Sequence, residues 1–163
     1  MKKIIDVGIG EFKVAKAPGM LITHNLGSCV GIALYDISSK IGGLAHIMLP
    51  SYKKINAAQN HNPKFADAAI PLMIKEMEKI GAQKIFTVGK IAGGGDMFGL
   101  PPDSPLELNI GKQNIEMVKK YLQKYGIRIV AEEILGNIPR TMELDLDTGK
   151  VTLKTAQKEE RVL

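Results

Sequence analysis

Apolar residues in this chain come in short runs broken by polar or glycine-rich positions, and the period of each run predicts its element. Strand-like runs cover 12–14, 21–25, 29–35, 41–49, 84–92, 127–133, 141–145 and 151–154. Asp147-Thr148-Gly149-Lys150 reads as the turn of a final hairpin. Two longer segments carry helical spacing instead. In the first, Asn62 is an N-cap candidate with Pro63 at the first helical position, and Phe65, Ala69, Leu72, Met73 and Ile80 recur near the helical period up to a stop at Gly81. Pro71 falls inside it and predicts a bent or split helix. The second spans 109–125, with Ile110, Ile115, Val118 and Leu122 on one side and Lys112, Gln113, Glu116, Lys119, Lys120 and Gln123 on the other.

Clustered strands with only two helices do not give a regular β-α-β alternation. The pattern predicts an α/β fold with a mixed sheet and helices outside it, not a doubly wound nucleotide fold. The polar stretch 51–62 and the proline-rich stretch 99–107 are expected as loops, and no internal repeat is visible. A length of 163 residues suits one domain over 1–163, with 156–163 expected as a frayed tail. A hydrophobic content of 45% supplies a real core. No apolar run approaches the roughly 20 residues of a membrane span, and no secretory signal is expected at the start. The net charge of +5 is modest, and without basic residues interleaved among aromatics it gives little support for nucleic-acid binding. A single cysteine forms no internal disulfide, which predicts a soluble protein of the reducing cytoplasm.

That cysteine, Cys29, follows Leu26-Gly27-Ser28 at the head of one apolar run, and His46 is the one titratable side chain of the next. If the two runs form a hairpin turning between Ile37 and Ser38, Cys29 and His46 are directly opposed, with Cβ atoms about 4.5–5.5 Å apart. A thiol beside an imidazole is the arrangement of an activated nucleophile. The imidazole is expected to lower the thiol pKa, and the amides near Ser28 and Cys29 to offer an oxyanion hole. A lone cysteine is also commonly a small buried hydrophobe. A histidine in an apolar strand is also commonly a core residue bonded to backbone, although its ring needs some partner. His24 and His61 sit in polar surroundings and read as surface residues. Ser28 is a weaker nucleophile next to the better thiol.

No cofactor is expected. One cysteine and three scattered histidines give no metal-ligand spacing. The run Gly93-Gly94-Gly95 lacks the Lys-Ser/Thr of a phosphate loop and reads as close backbone packing or a site wall.

Several segments together resemble a known family. Leu26-Gly27-Ser28-Cys29-Val30 and Gly43-Leu44-Ala45-His46-Ile47-Met48-Leu49-Pro50 look like the chemoreceptor glutamine deamidase CheD family. So do Lys64-Phe65-Ala66-Asp67, Lys90-Ile91-Ala92-Gly93-Gly94 with Met97-Phe98, Asn109-Ile110-Gly111 with Asn114, Gly136, Arg140 and Thr148-Gly149. The resemblance runs in order over nearly the whole chain. It implies a layered α-β-β sandwich with mixed sheets and two main outer helices, related to bacterial toxin deamidases. It implies a catalytic set of Cys29 as nucleophile, His46 as base and acid, and Thr23 as third member. Alternation places Leu21, Thr23 and Asn25 on one strand face.

The implied reaction is hydrolysis of receptor glutamine side chains to glutamate through a cysteine thioester, a protein-glutamine glutaminase activity in chemotaxis. The implied partners are methyl-accepting chemotaxis receptors and the phosphatase CheC, with Gly93, Gly94 and Phe98 on the partner-binding face. A non-enzymatic CheC-binding adaptor is the alternative. The chain departs from the family pattern at Pro71, in the longer proline-rich stretch 99–108, and at Asn137-Ile138-Pro139.

Overall fold

A computed structural model describes residues 2–53, 62–101, 103–157 and 159–163. Among these residues, ten strands form two five-stranded sheets. One has the order β1 (Ile4–Asp6), β3 (Met20–Leu26), β8 (Arg140–Asp145), β9 (Val151–Thr155), β10 (Glu160–Val162). The other runs β2 (Phe12–Lys16), β5 (Ile41–Ile47), β4 (Val30–Asp36), β6 (Thr87–Gly93), β7 (Arg128–Ile134). Both sheets are mixed, with β1 parallel to β3 and β7 parallel to β6. Two helices, α1 (Ala66–Lys79) and α2 (Ile110–Lys124), cover the outer face of the second sheet. The layers are therefore helix, sheet, sheet.

The hairpin β4–β5 lies in the middle of this stack, and that is why both strands read as unbroken apolar runs. Val30, Ile32 and Leu34 of β4 and Ile41, Ala45 and Ile47 of β5 pack under the helices. Ala33 and Tyr35 of β4 and Leu44 of β5 face the first sheet, against Leu21, Met142 and Leu144. Glycine makes the close layer spacing possible: a Cβ on Gly42 would lie 2.8 Å from Leu146 and 2.9 Å from Leu144.

Several elements differ from the sequence expectation, each for a local reason. The first helix starts at Ala66, not Asn62. The Asn62 side chain accepts from the Lys64 N–H, and Phe65 is extended because it bridges to Leu49. Pro71 does not split α1, which continues to Lys79; the proline omits only the N–H that would bond the carbonyl of Asp67. On α2 the buried stripe starts at Gly111, since Ile110 is 38% exposed. The run beginning at Lys84 opens with a 3-10 turn, and its strand begins at Thr87. The tail expected to fray carries β10, paired with β9, and the unpredicted β1 edges the same sheet. Most of the loop expected at 51–62, including His61, lies outside the described residues.

The alternation in β3 breaks as well. Asn25 takes a φ of 62° at a bulge between Thr23 and Leu26, so Asn25 is exposed and Leu26 is buried. That irregularity aims the following Gly27-Ser28-Cys29 segment toward the end of the second sheet.

Gly42→Ala is expected to destabilise the fold by about 1–3 kcal/mol through overpacking between the sheets. Urea unfolding should show a lower midpoint with an unchanged m-value.

Candidate functional site

Thr23 and His46 meet between the two sheets, and Cys29 packs against the same inter-sheet cluster, at the end of the β4–β5 hairpin away from its turn. The hairpin turn holds four residues, Ile37 to Lys40, because Asp36 pairs with Ile41. The pairing centre therefore falls between Ser38 and Ser39, and Gly31, not Cys29, is opposite His46. This corrects the expected direct opposition. The change is two residues, an even number, so Cys29 keeps the face of Gly31 and His46. Cys29 packs against the inter-sheet cluster, at the last loop position before β4. Diagonal neighbours of this kind are about 7–8 Å apart along the backbone, within reach of an aromatic ring.

Thr23 comes from the other sheet and is buried, as is His46, both with 0% exposure. Its Oγ1 lies 2.7 Å from His46 Nδ1 and donates to the Val7 carbonyl at 2.8 Å. A hydroxyl has one hydrogen, and Val7 O takes it. Toward the ring Thr23 therefore accepts, which puts the imidazole hydrogen on Nδ1 and leaves a lone pair on Nε2. Nε2 is buried and has no hydrogen-bond partner among the described residues. The ring is thus a neutral base with its reactive nitrogen free.

Burial sets the ionisation of both groups. His46 is lowered from 6.5 to about 4 because desolvation disfavours the imidazolium. Burial pushes the Cys29 thiol above its ordinary range, with its own backbone N–H pulling the other way. The expectation of a thiol lowered by the imidazole does not hold in this resting geometry. Desolvation disfavours charge on both groups, which rest as thiol and imidazole.

The segment Gly27-Ser28-Cys29 is clamped by its carbonyls. Gly95 N–H donates to Gly27 O at 2.8 Å, Asn114 Nδ2 to Ser28 O at 2.9 Å, and Gly94 N–H to Cys29 O at 2.9 Å. The N–H groups of Ser28 and Cys29 have no hydrogen bond to another residue among the described residues.

The glycine run explains how this clamp comes so close. Gly93 has a φ of 102°, and a Cβ there would strike the Cys29 carbonyl. A Cβ on Gly111 of α2 would strike the carbonyls of Gly94 and Gly95. Gly93 and Gly94, expected on the partner-binding face, are buried and pack against the Cys29 segment. Phe98, in contrast, is 87% exposed. It stands on a turn braced by Asp96, whose carboxylate accepts from the N–H of Phe98 at 3.0 Å and of Leu100 at 2.6 Å. A small cavity of about 40 Å³ lies between Ser28, Met97, Phe98 and Leu108.

His24 is exposed, 3.2 Å from the Thr141 hydroxyl, and takes no part in the site. Among the described residues no three His, Cys, Asp or Glu side chains converge as a metal-ligand set. Sequence reasoning assigns Asn114 no place in the site, yet a signal exists: it lies three residues after Gly111 and four before Val118, a polar residue on the buried stripe of α2.

Residues 48–155 match the family described as CheD chemotactic sensory transduction. A protein of Desulforamulus reducens named probable chemoreceptor glutamine deamidase CheD is 50% identical over 152 residues, covering 93% of this chain and 90% of the relative. One of Clostridium botulinum (strain Eklund 17B) with the same name is 49% identical, covering 92% and 91%. One of Syntrophomonas wolfei, again so named, is 45% identical over 163 residues, the full length of both chains. The family match begins after His46, while the full-length relative spans Thr23, Cys29 and His46 as well.

The low His46 pKa has a consequence for stability. The unfolded imidazole takes a proton near pH 6.5, the folded one only near pH 4. Between these values the unfolded state binds the extra proton, so stability falls as pH falls through this window and is present in full above it. The loss is on the order of 3 kcal/mol. Chemical denaturation across the window should show this slope in the wild type and a flatter one in His46→Leu.

Proposed function

The chain belongs to the CheD family, and on that footing we propose that it is a protein-glutamine deamidase of chemotaxis, hydrolysing glutamine side chains of methyl-accepting chemotaxis receptors. The observation that carries this reading is the buried His46 Nε2, left without a partner by the Thr23–Nδ1 bond and sharing a face with the chain's one thiol.

The reaction follows from these groups. His46 Nε2 takes the thiol proton as Cys29 Sγ attacks the carboxamide carbon. The C=O π electrons move to oxygen, and the N–H groups of Ser28 and Cys29 stabilise that oxyanion. His46 Nε2–H then protonates the leaving nitrogen, the C–N bond breaks, and ammonia departs from a thioester. Water attacks the thioester, giving one proton to Nε2 as the C–S bond breaks. The proton returns to sulfur, and the product is a glutamate side chain. Thr23 holds the ring tautomer throughout, and its carbonyl partner Val7 fixes the hydroxyl. Because the resting pair is uncharged, proton transfer accompanies attack instead of preceding it.

Substrate approach fits the same end of the molecule. A glutamine presented by a receptor helix would enter beside Ser28, with Phe98 as an apolar contact on the braced turn. The same exposed Phe98 suits docking of CheC, and a CheC-binding adaptor without turnover is the second reading it supports. The working compartment is the cytoplasm, where a free thiol stays reduced. Among the described residues no helix is long and apolar enough to cross a membrane.

Purified protein mixed with receptor fragments should release ammonia, with the matching mass gain on chosen glutamines. Cys29→Ala should abolish release while the fold persists; full activity in that variant would overturn the covalent route. Thr23→Val should lower kcat roughly 10²-fold or more, whereas Thr23→Ser keeps most of it. Phe98→Ala should raise KM for the fragment by more than it lowers kcat. CheC binding with no ammonia release from any receptor fragment would favour the adaptor.

A further inference from the structure

Asn114 bridges the segment carrying the nucleophile and the strand end carrying the base. It is fully buried. Its Nδ2 donates to Ser28 O at 2.9 Å and to Met48 O at 3.0 Å. Ser28 precedes Cys29, and Met48 is two residues beyond His46. Neither carbonyl belongs to the β4–β5 ladder, which ends at the Val30–Ile47 pair. Past that pair the two chains no longer hold each other, and the single amide of Asn114 ties both. The helix reaches this place only because Gly111 lies directly on the carbonyls of Gly94 and Gly95.

On this basis we infer that Asn114 is a positioning residue, fixing the placement of Cys29 Sγ relative to His46 Nε2 by holding the Ser28 and Met48 carbonyls at once. The inference rests on the pairing of Cys29 with His46 proposed above. Asn114 touches no substrate and takes no proton. A planar amide with two hydrogens fits this position because each hydrogen serves one carbonyl. Aspartate has the same shape and no donor when ionised, and alanine has neither. The Nδ2 assignment follows from the partners, since two carbonyl oxygens accept only from a donor.

The bridge acts through His46, and this separates positioning from mere support of the fold. Near neutral pH the half-buried thiol is protonated, so on this inference its reaction with a small alkylating agent depends on proton removal by Nε2. Loosening the bridge should slow that reaction in a protein that has His46, and do nothing more in one that lacks it.

The test measures the rate of Cys29 alkylation by iodoacetamide at pH 7 in the full chain, for wild type, Asn114→Asp, Asn114→Ala, His46→Gln and the Asn114→Ala/His46→Gln double variant. Thermal melts confirm a folded state at the assay temperature. We expect the Asn114 variants to react at least tenfold more slowly than wild type, and the double variant to match His46→Gln within about twofold. In ammonia release from receptor fragments, kcat should fall at least tenfold with KM within about threefold. Wild-type alkylation rates in folded Asn114→Asp, or a double variant slowed by the full product of the two single effects, would overturn the inference. If Asn114→Ala does not fold, Asn114→Asp with and without His46→Gln gives the same comparison. Alkylation needs no substrate. A wild type that releases no ammonia would therefore sink the proposed activity while the Asn114 comparison still stands or falls on its own rates.

Discussion

The contact on which the rest depends is the 2.7 Å hydrogen bond from His46 Nδ1 to Thr23 Oγ1. Its two residues belong to different sheets, so the bond exists only when the sheets pack face to face. Forming it decides which ring nitrogen is free, and burial by the same packing decides that the ring is neutral. One interface therefore supplies stability, tautomer and protonation state together. The site is a property of the layered assembly, not of either sheet.

Around that contact the molecule is organised by close approach of backbone to backbone. Gly93 and Gly94 leave room for the Cys29 carbonyl and for α2, and the gap they leave is filled by main-chain hydrogen bonds. Those bonds fix carbonyls, not amides, and the N–H groups of Ser28 and Cys29 keep no bond to another residue among the described residues. A residue with a side chain at either glycine would push the 27–29 loop off its support. Rigidity behind the loop and openness in front of it come from the same arrangement.

Much of this is readable in the sequence because strand burial leaves a direct trace. The apolar runs of β4 and β5 announce a doubly covered hairpin, and the single histidine in the second marks a buried polar ring that needs a partner, which Thr23 supplies. The family resemblance supplies Thr23, which pattern alone gives no reason to choose. What stays hidden depends on details outside the hydrophobic period. The four-residue turn moves the register by two, which no apolar count detects. The bulge at Asn25 turns Leu26 inward against simple alternation. Burial of the thiol reverses the expected direction of its pKa, because a sequence names neighbours but not how dry they are. The edge strands β1 and β10 are three residues each and too short to show a period.

Val7 gives this architecture a reach toward its first residues. Its carbonyl receives the Thr23 hydrogen, and its own N–H bonds Ile22 O at 2.7 Å, just beyond the parallel β1–β3 pairing. The leading strand is thus joined electronically to the imidazole through one hydroxyl. Trimming the leading segment through Val7 would leave Thr23 free to rotate its hydrogen toward Nδ1, turning the ring over to the other tautomer and blocking Nε2 with a proton. For anyone engineering a tag or a fusion at that end, the first strand helps fix the His46 tautomer and is not packaging.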